Sequence, residues 1–273
     1  MCSRCPDAVR TVAGLVLTVA LFVAISSGAW ARDLRVCADP DNLPYSSRSE
    51  PGFDNRIASL VATELKADLS YVWVSPLRGY VNKTLGARMC DVLVGWPREA
   101  EDVSTTRSYY ISEFRFVYRV DRLREIISFD DPRLRELRVG VPVVGEDLAA
   151  TPPGHALARR GIVDNVVGVT PFAVESAQAR ILAMLKSADI DVAVLWGPQA
   201  SWVAQHLGPG YATHEARDDA YDGAMSVFAI AVAVRLGETA LRDEIDQALV
   251  RAHPAIELVL DDYGVPRVQG GER

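Results

Sequence analysis

The sequence predicts an α/β protein of two similar lobes, each a doubly wound, mostly parallel sheet flanked by helices. Cys90-Asp91-Val92-Leu93-Val94-Gly95-Trp96-Pro97 is echoed about a hundred residues later by Ile190-Asp191-Val192-Ala193-Val194-Leu195-Trp196-Gly197-Pro198. Each run follows an amphipathic helical stretch and is unbroken in its apolar character, as a parallel strand covered on both faces must be. Each also ends in a Trp and a chain-breaking Pro. Doubly wound lobes carry ligand or partner surfaces where their strands end, which puts Trp96 and Trp196 at or near an interlobe cleft. A Trp at a strand end can equally plug the space between lobes.

The first 31 residues stand outside that architecture. Arg4 and Arg10 precede an apolar run from Thr11 to Ile25, followed by small residues and Ala29-Trp30-Ala31. This is the pattern of a secretory signal peptide cut after Ala31. The run is shorter than the about 20 residues of a membrane span, so the expectation is a periplasmic protein with no membrane span in its mature form. Of 29 basic and 36 acidic residues, Arg4, Arg10 and Asp7 lie in this segment, leaving 27 against 35 and a formal charge of −8. Without a Lys/Arg stripe, nucleic acid is not an expected partner.

In the first lobe, Leu34 to Ala38 is a strand that ends at the turn cluster Asp39-Pro40-Asp41-Asn42. Asp54 can cap a helix with Ile57, Leu60, Val61 and Leu65 on one face. Tyr71 to Val74 is the second strand, Gly79 to Ala87 a helix, and Cys90 to Gly95 the third strand. This order places Asn42, Tyr45, Arg78 and Trp96 on loops near the carboxyl ends of the strands. Phe114 to Tyr118 reads as the strand that crosses to the second lobe.

The pattern restarts there: strands at Leu137 to Val141, Val166 to Val169 and Asp191 to Leu195, helices at His155 to Arg160 and Gln178 to Lys186. Ser226 to Val234 is a return crossing, and a final helix carrying Leu241, Ile245, Leu249, Ile256 and Leu260 packs back on the first lobe. The expected organisation is therefore 1–31 signal peptide, 32–112 the first part of lobe 1, 113–226 lobe 2 with its crossing strands, and 227–273 the return.

Cys2 and Cys5 lie within the signal segment. Cys37 and Cys90 sit on strands that are parallel neighbours in a sheet of order 2-1-3, and in an oxidising compartment they are expected to pair. Such a bridge closes a loop of roughly fifty residues and contributes about 3 to 4 kcal/mol. Two free buried thiols are the other reading.

Catalytic signatures are weak. His155, His206, His214 and His253 are scattered without metal-ligand spacing. The acidic stretch Arg217 to Gly223 does not match a calcium loop, and no G-x-S-x-G, P-loop, dinucleotide or haem-attachment motif occurs. No catalytic residue, metal or cofactor is expected.

Several segments together resemble one known family. They are Arg35-Val36-Cys37-Ala38-Asp39-Pro40-Asp41-Asn42-Leu43-Pro44-Tyr45-Ser46, Gly52-Phe53-Asp54-Asn55, Tyr71-Val72-Trp73, Arg78-Gly79-Tyr80, Asn82-Lys83-Thr84-Leu85, Cys90-Asp91-Val92, Thr105 to Tyr110 and Asp191 to Pro198. They are similar to the MxaJ/XoxJ-type proteins associated with quinoprotein methanol dehydrogenases, a branch of the type II periplasmic solute-binding fold. The resemblance covers nearly the whole mature chain. It implies a non-enzymatic partner of a periplasmic PQQ-dependent alcohol (methanol) dehydrogenase that assists its activation or assembly. The alternative is a solute receptor of an ABC transporter, with a small molecule in the interlobe cleft.

Residue chemistry bears on that choice. Amino-acid-binding relatives stack their ligand on an aromatic where this chain has Asn42, and accept its ammonium on an Asp where this chain has about Trp196, which cannot accept. Gly145-Glu146-Asp147 would repel an anion at the helix that usually receives a carboxylate, and Arg98 lies close to the usual Arg clamp. Zwitterionic amino acids are thus disfavoured. The expected cleft set is Asp39, Asn42, Tyr45, Arg78, Trp96, Arg107, Tyr109, Glu146 and Trp196. Within it Arg78 and Arg107 suit structural hydrogen bonding as well as a functional contact, and Tyr109 with Tyr110 suits hinge packing. Trp73 is expected in the core and Trp202 on the outer face of lobe 2.

Overall fold

The computed structural model describes residues 32–49, 51–76, 78–123, 126, 128–144, 149–170, 176–218 and 227–268. The segment 1–31 expected to be a signal peptide, Glu146 and most of the Arg217 to Gly223 stretch lie outside these. In chain order the main elements are β1 (Arg32–Ala38), α1 (Phe53–Leu65), β2 (Ala67–Trp73), β3 (Val92–Pro97), β4 (Tyr110–Arg119), β5 (Val139–Val144), α2 (Pro152–Arg159), β6 (Val166–Val169), α3 (Ala177–Ser187), β7 (Val192–Trp196), α4 (Gly197–Leu207), β8 (Tyr211–Glu215), β9 (Val227–Val234) and α5 (Thr239–Asp262).

One sheet runs through the molecule in the order β6-β5-β7-β4-β9-β3-β1-β2, with β8 on β4. At one end β2, β1 and β3 are parallel in the order 2-1-3, and at the other β6, β5 and β7 repeat that order in parallel. β4 joins the halves: Tyr110–Glu113 pairs antiparallel with β9, while Phe114–Tyr118 pairs antiparallel with β7.

Period-2 alternation sends successive side chains to opposite faces, so each half builds two apolar layers. In the first half Val36 and Val92 face α1 and α5, joining Phe53, Ile57, Ile245, Leu249 and Ile256, whereas Cys37 and Leu93 face Val81 and Leu85. In the second, Phe116 and Val194 pack with Val139 and Leu157, while Val117, Ala193 and Leu195 pack with Ile181, Leu185 and Val203 of α3 and α4. The expected final helix is α5, continuous through Pro254.

Two local expectations are corrected. Gly52, not Asp54, is the N-cap of α1: Asn55 Oδ1 accepts from Gly52 N at 3.0 Å, and a Cβ on Gly52 would lie 2.1 Å from Tyr45 O. Close passage of the preceding loop thus dictates a glycine there, and Asp54 is carried into the first turn. The helix expected over Gly79 to Ala87 is a short π-type turn at Asn82–Gly86. Met89 N–H reaches Thr84 O at 3.0 Å, an i→i−5 bond, while the Thr84 hydroxyl occupies Tyr80 O. Trp73 is half-buried, stacked on Tyr71 with centroids 4.8 Å apart. Trp202 packs at the edge of the α3/α4 layer and stacks on His206 at 3.9 Å.

Candidate functional site

A cavity of about 380 Å³ opens where the strand ends of both halves meet. Its walls come from the ends of β1 and β3, the start of β4 and β9, Trp196 at the end of β7, the first turn of α1 and Pro152 at the start of α2. These are strand termini and helix starts at a topological switch, the position where doubly wound sheets bind ligands. Cys37, on its wall, is bridged to Cys90 at a sequence separation of 53. The bridge ties β1 to the segment leading into β3.

Aromatic rings dominate the wall. Tyr45, Tyr71, Tyr80, Trp96, Tyr110, Phe114, Trp196 and Phe228 all line it. Trp196 meets Phe114 and Phe228 edge-on at 5.3 and 5.7 Å, and its indole N–H lies near the Tyr110 hydroxyl. Trp96 lies nearly parallel to Tyr80 at 6.0 Å, and its buried Nε1 has no hydrogen-bond partner among the described residues.

The charged groups on the wall are Asp39 and Asp54. Asp54 is 8% exposed. Burial raises its carboxyl to about 7, opposed by the Tyr109 hydroxyl, which donates to Oδ1 at 3.3 Å. The Gly95 backbone N–H lies beside that hydroxyl. Gly95 has φ of +79° and lies so close that a Cβ there would sit 2.4 Å from Asp54 Oδ2, so only glycine lets the carboxyl reach its place. Burial likewise raises Asp39, while Asp41 N–H donating to it acts in the opposite direction. Tyr45, Tyr109 and Tyr110 are pushed well above the usual phenol value by burial and remain neutral.

Of the residues expected in the cleft, Asp39, Asn42, Tyr45, Trp96 and Trp196 line the cavity. Asn42 Oδ1 accepts from Gln178 Nε2 at 2.8 Å, so the loop after β1 is bonded to the first turn of α3. Tyr109 stands behind the wall as the partner of Asp54. Arg78 is exposed and outside the lining. Arg107 is also outside it, paired with Asp246 of α5 at 2.7 Å. Arg98 is exposed, and its backbone N–H donates to Ala229 O. Glu146 is outside the described residues. Sequence reasoning missed Asp54 and Phe228 as wall residues and Gln178 as the partner of Asn42. The Gly52-Phe53-Asp54-Asn55 motif was the available signal for Asp54.

Among the described residues no group of His, Cys, Asp and Glu could hold a metal, and no helix is long and apolar enough to cross a membrane. Among the described residues the lining contributes no Lys, Arg or His. What the arrangement offers is containment, by ring surfaces around a buried carboxyl.

Two parallel half-sheets joined by crossing strands around such a cavity define a protein of the type II periplasmic solute-binding fold. No protein-family model matches the sequence. The chain is 31% identical over 247 residues to protein MoxJ of Methylorubrum extorquens, spanning 86% of this chain and 82% of that one. The crystal structure of periplasmic binding protein XoxJ from Methylobacterium extorquens AM1 superposes with a TM-score of 0.71 at 32% identity, covering 87% of this chain and all of the other. MxaJ from Methlophaga aminisulfidivorans MPT gives 0.71 at 25% identity over 86% of this chain and 100% of its own. The chain belongs to the MoxJ/MxaJ/XoxJ family.

Proposed function

We propose that the protein is a non-enzymatic periplasmic accessory protein that binds a PQQ-dependent methanol or related alcohol dehydrogenase and assists its activation or assembly. Membership of the MoxJ/MxaJ/XoxJ family over most of the chain carries this reading. In it, residues 1–31 direct export, 32–112 and 227–273 make one lobe and 113–226 the other. The cleft chemistry agrees with a departure from amino-acid transport. Asn42, where amino-acid-binding relatives put a stacking aromatic, is bonded to Gln178, and Trp196, near their ammonium-accepting Asp, offers an indole N–H that cannot accept. Neither position is available for the task it performs in those relatives.

The test is an affinity pull-down of the tagged protein from periplasmic extract of its own host, read by mass spectrometry at low and moderate salt. Recovery of a quinoprotein dehydrogenase is the expected result. Its absence at both salts would remove the accessory role.

A further inference from the structure

We propose that the cavity is a binding site for a small monovalent organic cation, a quaternary ammonium or protonated amine that carries no carboxylate. Eight aromatic residues, Asp39 and Asp54 line it, and among the described residues no basic side chain does. Aromatic faces attract organic cations through the ring quadrupole, the more so when water is excluded. A cation taken out of water also needs a counter-charge, and Asp54 is a carboxyl more than nine-tenths buried at the wall whose side-chain hydrogen bond comes from a neutral hydroxyl. A ligand carboxylate, by contrast, would find two aspartates and, among the described residues, no Arg or Lys. The cavity volume of about 380 Å³ suits a solute of few heavy atoms.

The raised Asp54 carboxyl agrees with this arrangement, since a cation beside it would restore its charge. The groups facing Asp54 are Tyr109 just before β4, Tyr110 at its start, Tyr71 from β2 and Tyr45 from the loop preceding α1, and all four stay neutral near pH 7. Asp39 is the other carboxyl on the wall. The inference does not rest on the dehydrogenase role: a protein that docks on an enzyme can hold a solute or not, and the pull-down and the titration below fail separately.

The test titrates purified protein with choline, benzyltrimethylammonium and phenethylammonium, read by intrinsic tryptophan fluorescence and calorimetry. Dimethylbutanol, in which a carbon replaces the charged nitrogen of choline, serves as the neutral control. At least one cation is expected to saturate, with choline binding at least about tenfold tighter than its neutral isostere. Asp54→Asn, which can still accept from Tyr109, should erase that ratio, and Asp39→Asn should reduce it less. If Asp54→Asn does not fold, the native protein supplies the same answer: cation affinity should fall as pH drops from 8 to about 6 and Asp54 takes up its proton, while dimethylbutanol stays flat. Equal binding of choline and the alcohol would leave a cavity selective for shape alone and overturn the proposal, as would the absence of saturation by all three cations.

Discussion

The segments around residues 90–97 and 190–197 are built alike, down to single hydrogen bonds. Two residues before each start, the backbone turns through the left-handed region, at Arg88 with φ of +58° and at Ala188 with +61°. Asp91 N–H then donates to Arg35 O at 2.8 Å while Arg35 N–H donates to the Asp91 carboxylate at 3.0 Å. Asp191 and Arg138 repeat both bonds at 2.9 Å. Each guanidinium reaches back to the left-handed residue, Arg35 to Arg88 O and Arg138 to Ala188 O. The halves diverge where chemistry rather than topology decides. Against the central strand the first half places a disulfide, Cys37 to Cys90. At the matching register the second half places Gly140 against Ile190, whose Cδ1 would lie 2.5 Å from a Cβ on the glycine. One frame is therefore stitched covalently in one half and filled by a side chain in the other.

Breaking those stitches should produce the largest effects. Replacing Cys37 and Cys90 together by Ala should cost about 3 to 4 kcal/mol in urea unfolding, because a long loop regains its entropy in the unfolded chain. In the second half Gly140→Ala should cost about 2 kcal/mol through overpacking against Ile190. Ile190→Val, which removes the offending Cδ1, should recover part of that loss, so that the double variant is more stable than the summed single effects allow. Additive costs would mean that Gly140 is held by something other than the Ile190 contact.

The repeated frame was legible because it is written in local patterns: apolar runs, the Asp before each strand, Trp and Pro at its end. The cysteine pairing followed from strand order. What escaped was set by contacts between distant segments. Asp54 read as a helix cap because an Asp before an apolar stripe commonly is one. Its displacement into the cavity wall follows from the Tyr45 carbonyl lying where a side chain on residue 52 would be. The Asn42 to Gln178 bond spans 136 residues and Arg107 to Asp246 spans 139, separations over which no periodicity carries information. The strand β8 and helix α4 went unassigned although α4 begins at the Gly197-Pro198 that marks its first turn.

The paired aspartates sharpen the comparison at intermediate size. Asp91 is 18% exposed and meets Arg35 at 2.7 Å and Arg235 at 3.6 Å, whereas Asp191, at 23%, faces an Arg138 that is half exposed. Asp91→Asn should cost about 2 kcal/mol as charge-assisted bonds are lost, and Asp191→Asn about 1 kcal/mol, since a solvated pair is screened. Burial pushes the Asp91 carboxyl up, but the hydrogen bonds and charge from Arg35, with Arg235, outweigh it and hold the group below its usual value. Its contribution is therefore complete above the unfolded value near 4 and lost as pH falls through the folded one. The stability gap between the native protein and Asp91→Asn should close in that acid window. A gap that persists there would mean that the bonds, not the charge, carry the effect.

The two Trp at the strand ends give the smallest and most discriminating difference. Trp196 has its N–H beside the Tyr110 hydroxyl and its ring held edge-on by Phe114 and Phe228. Trp196→Phe should cost about 1 to 2 kcal/mol, because it loosens a ring cluster and removes the indole N–H beside a buried hydroxyl. Trp96 buries an N–H that has no partner among the described residues. Trp96→Phe removes that unpaired donor together with some ring area, so the two changes offset and the net cost should be below about 0.5 kcal/mol. Equal costs would make the two Trp interchangeable plugs of the space between the halves. Unequal costs in the stated order would assign Trp196 to holding the halves together and leave Trp96, stacked on Tyr80, as the indole free to change its contacts when the cavity is filled.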